Sequence, residues 1–437
     1  MYPLLLGLAV SYNPIYMYRL MQEGAIGGMS FRIASGCTFI LIYLIYRILR
    51  NLNRPFSFNI IKTPLFMPMN GLLLLYILAV LIGLINNNDK VLIALDTYPL
   101  FEMFIVYYAI KFTPNIFVQI DSDKVAKWVG IYFGIMCISG IVSYSYLTFV
   151  KSVRFGVILA NVAGITVNRL MDFMVPIFLP IVIAYSVNNK KKILGAALII
   201  LGIAVSFLSF YRTVYLAVFA PLVYLMLKSK FIFLGITKKL IIYTLAMVVV
   251  MGVIEDRMQW KYDDTSIIQI MGLRIYSIFF KDVETDSGSI RVTDTVKVFA
   301  KISSCLVTGY GMGGILEYDD EDPSAIQVQS NYFLQTVLLM GLPGGALFIF
   351  IYIKTLITSF NRAKLSERNA DKFIFTACTS ILISLGVILS LFPYTNYFPL
   401  LYIFGFICGL VDTYTDRKVI HAINEYHVTG KVITHYG

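Results

Sequence analysis

The chain has 437 residues, 58% of them hydrophobic and only 14% charged, with a mean hydropathy of +0.77. Ordinary globular domains carry about a quarter charged residues, so a soluble domain is excluded. The formal net charge of +11 is not interleaved with aromatics as a nucleic-acid surface requires, and its distribution instead follows membrane sidedness.

Apolar stretches of roughly 20 residues match a hydrocarbon core about 30 Å thick. They predict about twelve helices, near 3–19, 31–49, 66–85, 91–112, 126–149, 169–187, 193–209, 212–228, 238–254, 331–354, 372–391 and 397–411. The first, from Pro3 to about Met17, lacks a basic n-region and a small-residue cleavage site, and so reads as an uncleaved helix. Lys and Arg cluster at Arg47–Lys62, Lys190–Lys192, Lys228–Lys239 and Arg362–Lys372. If the helices alternate, these connectors share one side, which the positive-inside rule makes cytoplasmic, together with both termini. The expected organisation is helices one to nine over 1–254, a large external loop over 255–330, helices ten to twelve over 331–411 and a cytoplasmic tail over 412–437. The fold class expected is an all-α polytopic membrane protein.

The external loop is acidic: residues 255–329 hold thirteen Asp/Glu and seven Lys/Arg. No internal repeat divides the helices into two similar halves, as repeat-built transporters show. Cys37, Cys137, Cys305, Cys378 and Cys408 form no C-x-x-C pair, and four lie in apolar stretches, which predicts small core residues and no metal or disulfide framework. The three histidines, His421, His427 and His435, all fall in the tail, so the bundle offers no histidine base.

Against this bias, arginines on the outer side stand out. Arg154 and Arg169 bracket the connector before the sixth helix, Arg212 sits in the tight turn "SFLSFYRTVY", and Arg274 and Arg291 lie in the large loop. The plain reading of each is a side chain snorkelling to lipid headgroups. The short polar turn around Arg212 (Ser206, Ser209, Thr213) would instead hold its guanidinium at the mouth of the bundle. Arg291 opens "RVTDTVKVFAKI", where Ile290, Val292, Val296, Phe299 and Ile302 recur at roughly helical spacing, with Ser287 or Ser289 as N-cap. Helix starts favour anions and arginine adds a bidentate phosphate donor. These cations suggest an external pocket for a phosphorylated, membrane-embedded ligand.

Downstream come "TGYGMGG" (Thr308–Gly314), the acidic "EYDDED" (Glu317–Asp322) and "SNYFLQTVLLMGLPGG" from Ser330. The glycine run lacks the strand of a dinucleotide signature; it reads as a tight turn that lets backbone approach a ligand. Gly341–Gly345, with Pro343, predicts a kink or close helix contact inside the membrane.

The order Arg291, then Gly309, Gly311 and Gly313, then Ser330-Asn331-Tyr332-Phe333-Leu334, then Gly341-Leu342-Pro343-Gly344 resembles the signature region of the bacterial O-antigen polymerase and ligase superfamily. "FLSFYRTVY" resembles that family's short Ser-x-x-Arg turn. Motif similarity runs from about Arg291 to Gly345; elsewhere the resemblance is in topology. Where the ligase branch has a histidine before the Asn, this chain has Ser330, which cannot serve as an ordinary base near neutral pH. The resemblance therefore favours the polymerase (Wzy-type) branch over the ligase.

The resemblance implies a GT-C-like glycosyltransferase of the bacterial inner membrane, with donor and acceptor oligosaccharides on undecaprenyl diphosphate, membrane lipids around it and no nucleotide or metal cofactor. A chain-length regulator is left open as a further partner. Departure of a diphosphate develops negative charge, for which Arg291 and Arg212 are the first candidates and Arg154 the next. Asp294 and Glu317 are candidate proton acceptors, although an acidic loop tip is more often simply solvated. Arg154, Arg169 and Arg274, with Gly309, Gly311, Ser330, Asn331 and Tyr332, are expected at the substrate. The rival is a lipid-linked oligosaccharide flippase, which also needs basic groups but not a 75-residue external loop. A membrane scaffold would leave the outer arginines unexplained.

Overall fold

The computed structural model describes residues 63–111, 122–145, 159–162, 165–168, 175–188, 192–209, 211–228, 261–262, 265–266, 269–273, 296–297, 299–314, 331–366, 369–391 and 400–429, with the single positions 242 and 249. The helices predicted near 3–19 and 31–49 lie outside them, as does 238–254 apart from those two positions. The described elements are α1 (Phe66–Ile85), α2 (Lys90–Lys111), α3 (Ser122–Ser145), β1 (Leu159–Val162), β2 (Ile165–Asn168), α4 (Val175–Asn188), α5 (Lys192–Leu208), α6 (Arg212–Lys228), β3 (Lys261–Tyr262), β4 (Thr265–Ser266), α7 (Tyr332–Leu365), α8 (Asn369–Leu391) and α9 (Leu400–Thr429).

Among these, α1, α2, α7 and α8 are long and apolar enough to cross a membrane; α3, α5, α6 and α9 contain shorter apolar segments. The described part is a predominantly helical membrane protein. Three features differ from the sequence pattern. Helix α7 continues to Leu365 and α9 to Thr429, beyond the apolar stretches that marked them. Helix α4 starts at Val175, after an antiparallel hairpin of β1 and β2 that pairs Leu159 with Asn168. A second, smaller hairpin joins β3 to β4, and β2 touches β3, so the segments before α4 and after α6 meet. Hairpins this short carry too little alternation to be read from sequence.

Helix α2 packs along α9, α1 packs on α2 and α7, and α8 bridges from α7 to α4 and α6, which with α3 and α5 complete the bundle. The core between α7 and α9 is aromatic: Phe348 meets Tyr332 at 5.7 Å, Phe333 at 5.9 Å and Phe404 at 5.6 Å between ring centroids. These are edge or tilted contacts, as the ring quadrupoles favour. Cys137, Cys378 and Cys408 are buried in the same core. On α1, Leu74, Ile77, Leu78, Leu81, Leu84 and Ile85 are exposed, a surface suited to lipid tails.

One end of the α1/α2/α9 group is closed by a buried ion pair. Lys111 Nζ lies 3.1 Å from Asp412 Oδ2, with side chains 7% and 0% exposed. Asp412 also accepts from Thr63 Oγ1 at 2.6 Å, Tyr107 Oη at 2.7 Å and the Leu65 N–H at 3.2 Å. Lys111 donates to Thr63 Oγ1 as well, at 2.9 Å. A buried carboxylate is tolerated only when paired and hydrogen-bonded, and this one is both.

Candidate functional site

The opposite end of the bundle carries the glycine loop. Its shape is set by three left-handed residues, Gly309, Gly311 and Gly313, at φ of 66°, 80° and 75°. A side chain there would be strained, and a Cβ on Gly309 or Gly311 would strike backbone of α7 or α1. The loop is wedged between those helices, and α7 is broken to receive it. Gly341 interrupts α7 with φ 70° and ψ 179°. The Leu342 N–H, turned out of the helical pattern, donates to Leu306 O at 2.8 Å. The carbonyl of Leu338, which would have accepted from Leu342, accepts instead from the Tyr310 N–H at 2.9 Å. Pro343 has no N–H, so Leu339 O would have no helical donor; it accepts from the Gly311 N–H at 3.1 Å.

The remaining loop amides are also committed. Gly309 donates to Cys305 O at 2.9 Å, Met312 to Ala79 O at 2.9 Å and Gly314 to Gly311 O at 3.2 Å. Gly313 donates to Asp96 Oδ2 at 3.0 Å. Every N–H from Gly309 to Gly314 is thus donated within the protein, which leaves carbonyls and side chains, not amides, to meet a ligand. The loop carbonyls are held from α1's end. Asn88 Nδ2 donates to Tyr310 O at 3.1 Å and Met312 O at 2.9 Å, and Asn86 Nδ2 to Tyr310 O at 3.2 Å. Between them Asn87 takes a left-handed turn at φ 55°, which Asn tolerates. Asp89 then caps α2, accepting from the Val91 and Leu92 N–H groups.

Asn331 caps α7, its Oδ1 accepting from the Phe333 and Leu334 N–H groups at 3.0 and 3.2 Å. Tyr332 is buried against Phe348. Both expected substrate residues therefore have structural work at the helix start. One turn on, Gln335 Nε2 donates to Asp96 Oδ1 at 3.0 Å, so Asp96 of α2 ties the loop to α7. Above the loop, Lys301 lies over the Tyr310 ring at 5.0 Å and Tyr310 Oη meets Ser304 Oγ at 2.7 Å. Around them the chain is helical at 296–297 and 299–302; Ile302 is buried, while Val296 and Phe299 are exposed.

Arg212 is the first residue of α6, half-buried, in a turn whose polar groups are used locally. Ser209 Oγ donates to Ser206 O and accepts from the Tyr211 N–H. Thr213 Oγ1 donates to Leu391 O at 3.4 Å, at the C-terminal end of α8. Since α8 follows α7 and runs back along it, that end lies toward the start of α7. Arg212 and the glycine loop thus occupy one end of the bundle, away from the Lys111–Asp412 pair. Arg154, Arg169, Arg274, Arg291, Asp294, Glu317 and Ser330 lie outside the described residues.

Sequence reading passed over Asp96, Thr97 and Gln335. The available signal was an ionisable residue inside an apolar helix ("LIALDTYPLFEMF"), which is costly and marks function or a specific partner. Glu102 in the same helix is buried too and accepts from the Tyr98 hydroxyl. Compared with known proteins, the chain matches no family model and no curated sequence.

Proposed function

We propose that the chain is a membrane glycosyltransferase that polymerises undecaprenyl-diphosphate-linked oligosaccharide repeat units into a surface polysaccharide, on the outer face of the bacterial inner membrane, which it crosses about twelve times. The observation that carries this reading is the junction of two separated motifs. "GYGMGG" and "GLPGG" stand some thirty residues apart, yet Gly311 and Tyr310 donate their N–H groups to the carbonyls that the Gly341–Pro343 break leaves open. A signature shared across a family should be one structural unit, and these two halves are one. Arg212 sits at the same end of the bundle, as a site for a lipid diphosphate requires.

In the reaction, a hydroxyl at the nonreducing end of the acceptor attacks the donor's anomeric carbon. The new C–O bond forms as the bond from that carbon to the diphosphate oxygen breaks, and undecaprenyl diphosphate leaves with the electron pair. The hydroxyl proton passes to a carboxylate. Arg212 and Arg291 stabilise the growing negative charge, the largest electrostatic demand of the step, with Arg154 next to them in rank. The test is purified protein given a defined lipid-linked repeat unit. A ladder of products on a gel is expected; transfer of the intact unit across the bilayer without a ladder would favour the flippase.

A further inference from the structure

We propose that Asp96 and Gln335 form the subsite for the acceptor, binding a vicinal pair of sugar hydroxyls, with Asp96 taking the proton of the one that attacks. The inference rests on the polymerase reading above. It begins from the orientation of one amide. A carboxylate can only accept, so the Gln335 side chain must turn its NH₂ toward Asp96, as the 3.0 Å contact records. The amide oxygen is then fixed beside Asp96 and facing away from it. Gln335 is 6% exposed, and this oxygen is buried without a hydrogen-bond partner; so is the hydroxyl oxygen of Thr97, the residue after Asp96. Buried polar atoms are nearly always satisfied, and an exception calls for a ligand or water.

The chemistry of these atoms selects the ligand. An amide oxygen asks for a donor, and the carboxylate beside it accepts again. Adjacent sugar hydroxyls offer donors at the spacing of neighbouring ring carbons. A phosphate, which brings acceptors only, would meet repulsion. The subsite is therefore for the glycan and not for the diphosphate, and it complements Arg212. Asp96 is only partly buried, which leaves an approach for substrate, while Gly313 and Gln335 hold it in place. One hydroxyl donates to Gln335 Oε1. Its neighbour gives its proton to the Asp96 carboxylate as its oxygen bonds to the anomeric carbon and the diphosphate departs with the bonding pair. Asp96 then releases the proton to external water.

The experiment separates donor from acceptor by using a lipid-free glycoside of the repeat unit, which has no diphosphate and can act only as acceptor. Gln335→Met keeps the volume and removes both the unpartnered oxygen and the NH₂ that donates to Asp96. At equal folded protein it is expected to raise KM for the glycoside about tenfold, the loss of one hydrogen bond, with KM for the lipid-linked donor unchanged. Asp96→Asn should lower kcat by about 10²–10⁴, the worth of a positioned base, while Asp96→Glu recovers part of it. If Gln335→Met leaves the glycoside KM unchanged, or moves both KM values together, the oxygen is satisfied by water and the subsite is refuted although wild-type ladders stand. If wild-type protein makes no ladder from intact repeat units, the polymerase reading falls and takes the subsite with it.

Discussion

Gly311 and Pro343 are coupled through a single atom, the carbonyl oxygen of Leu339, which accepts the Gly311 N–H at 3.1 Å because Pro343 has no N–H to offer it. Inside a membrane an orphaned carbonyl costs several kcal/mol, so a proline in a spanning helix needs a donor from elsewhere. Here a glycine loop supplies it, and Gly341 completes the exchange by turning the Leu342 N–H out toward Leu306 O. The helix break and the loop are two halves of one hydrogen-bond account, each without stability in the other's absence.

Gly311→Ala should therefore unseat the loop. At φ 80° an alanine costs about 1–2 kcal/mol in backbone strain alone, and its Cβ also meets the backbone of Gly83. Thermal melting in detergent should fall for Gly311→Ala and not for Gly272→Ala, where an added Cβ meets nothing within 4 Å. Pro343→Ala restores an N–H that competes for Leu339 O, and amide hydrogen exchange in a peptide covering 306–314 should quicken.

The Lys111–Asp412 pair makes a second stability prediction. Removing one partner leaves a buried charge uncompensated, which typically costs 3–5 kcal/mol. Lys111→Met should melt well below wild type. The double variant Lys111→Met with Asp412→Asn should regain much of the loss, because no charge is then stranded. A double variant no more stable than Lys111→Met would mean that Thr63, Tyr107 and the Leu65 N–H need the ionised carboxylate in their own right.

Much of this was legible in the sequence, for identifiable reasons. Runs such as "GLLLLYILAVLIGLI" can only be buried or lipid-facing, so helix positions follow from length and polarity. The gap between the helices expected near 66–85 and 91–112 holds Asn-Asn-Asn-Asp at 86–89, where the structure has a left-handed turn at Asn87 and a cap by Asp89. The kink at Gly341–Pro343 follows from the missing N–H. Partners were less legible. Nothing in "TGYGMGG" tells whether its amides face a ligand or a helix; that depends on Leu338 and Leu339 losing their donors thirty residues later. Asp96 was hidden for a related reason. A lone acid in an apolar run shows that a partner exists, but only packing names Gly313 and Gln335.

Sidedness can be tested by chemistry alone. The proposed topology, drawn from the Lys/Arg clusters, expects residue 191 in the cytoplasm and residue 320 outside. In cells with a permeabilised outer membrane, an impermeant thiol reagent should label Asp320→Cys and not Lys191→Cys. The opposite pattern would turn the glycine loop and Arg212 toward the cytoplasm, where no polymerisation on the outer face could occur.

The prediction closest to the chemistry concerns Arg212. It begins α6 at the end of the bundle that holds the glycine loop, where the positive helix end adds to its own charge. In the turn around it, Ser209 Oγ donates to Ser206 O and accepts from the Tyr211 N–H, Thr213 Oγ1 donates to Leu391 O and the Tyr215 hydroxyl donates to Phe207 O. Arg212→Ala should slow polymerisation, compared at equal folded protein, by about 10²–10³, the usual loss when one preorganised donor to a developing anion is removed. Arg212→Lys keeps the charge but not the planar fork, so it should recover the rate only in part. The loss should appear in kcat more than in donor KM, since the charge grows as the diphosphate leaves. Arg212→Ala with wild-type rate at equal protein level would make Arg212 an interfacial side chain and pass the role to Arg291. A variant that binds donor poorly but turns over normally would make it a ground-state anchor for the diphosphate.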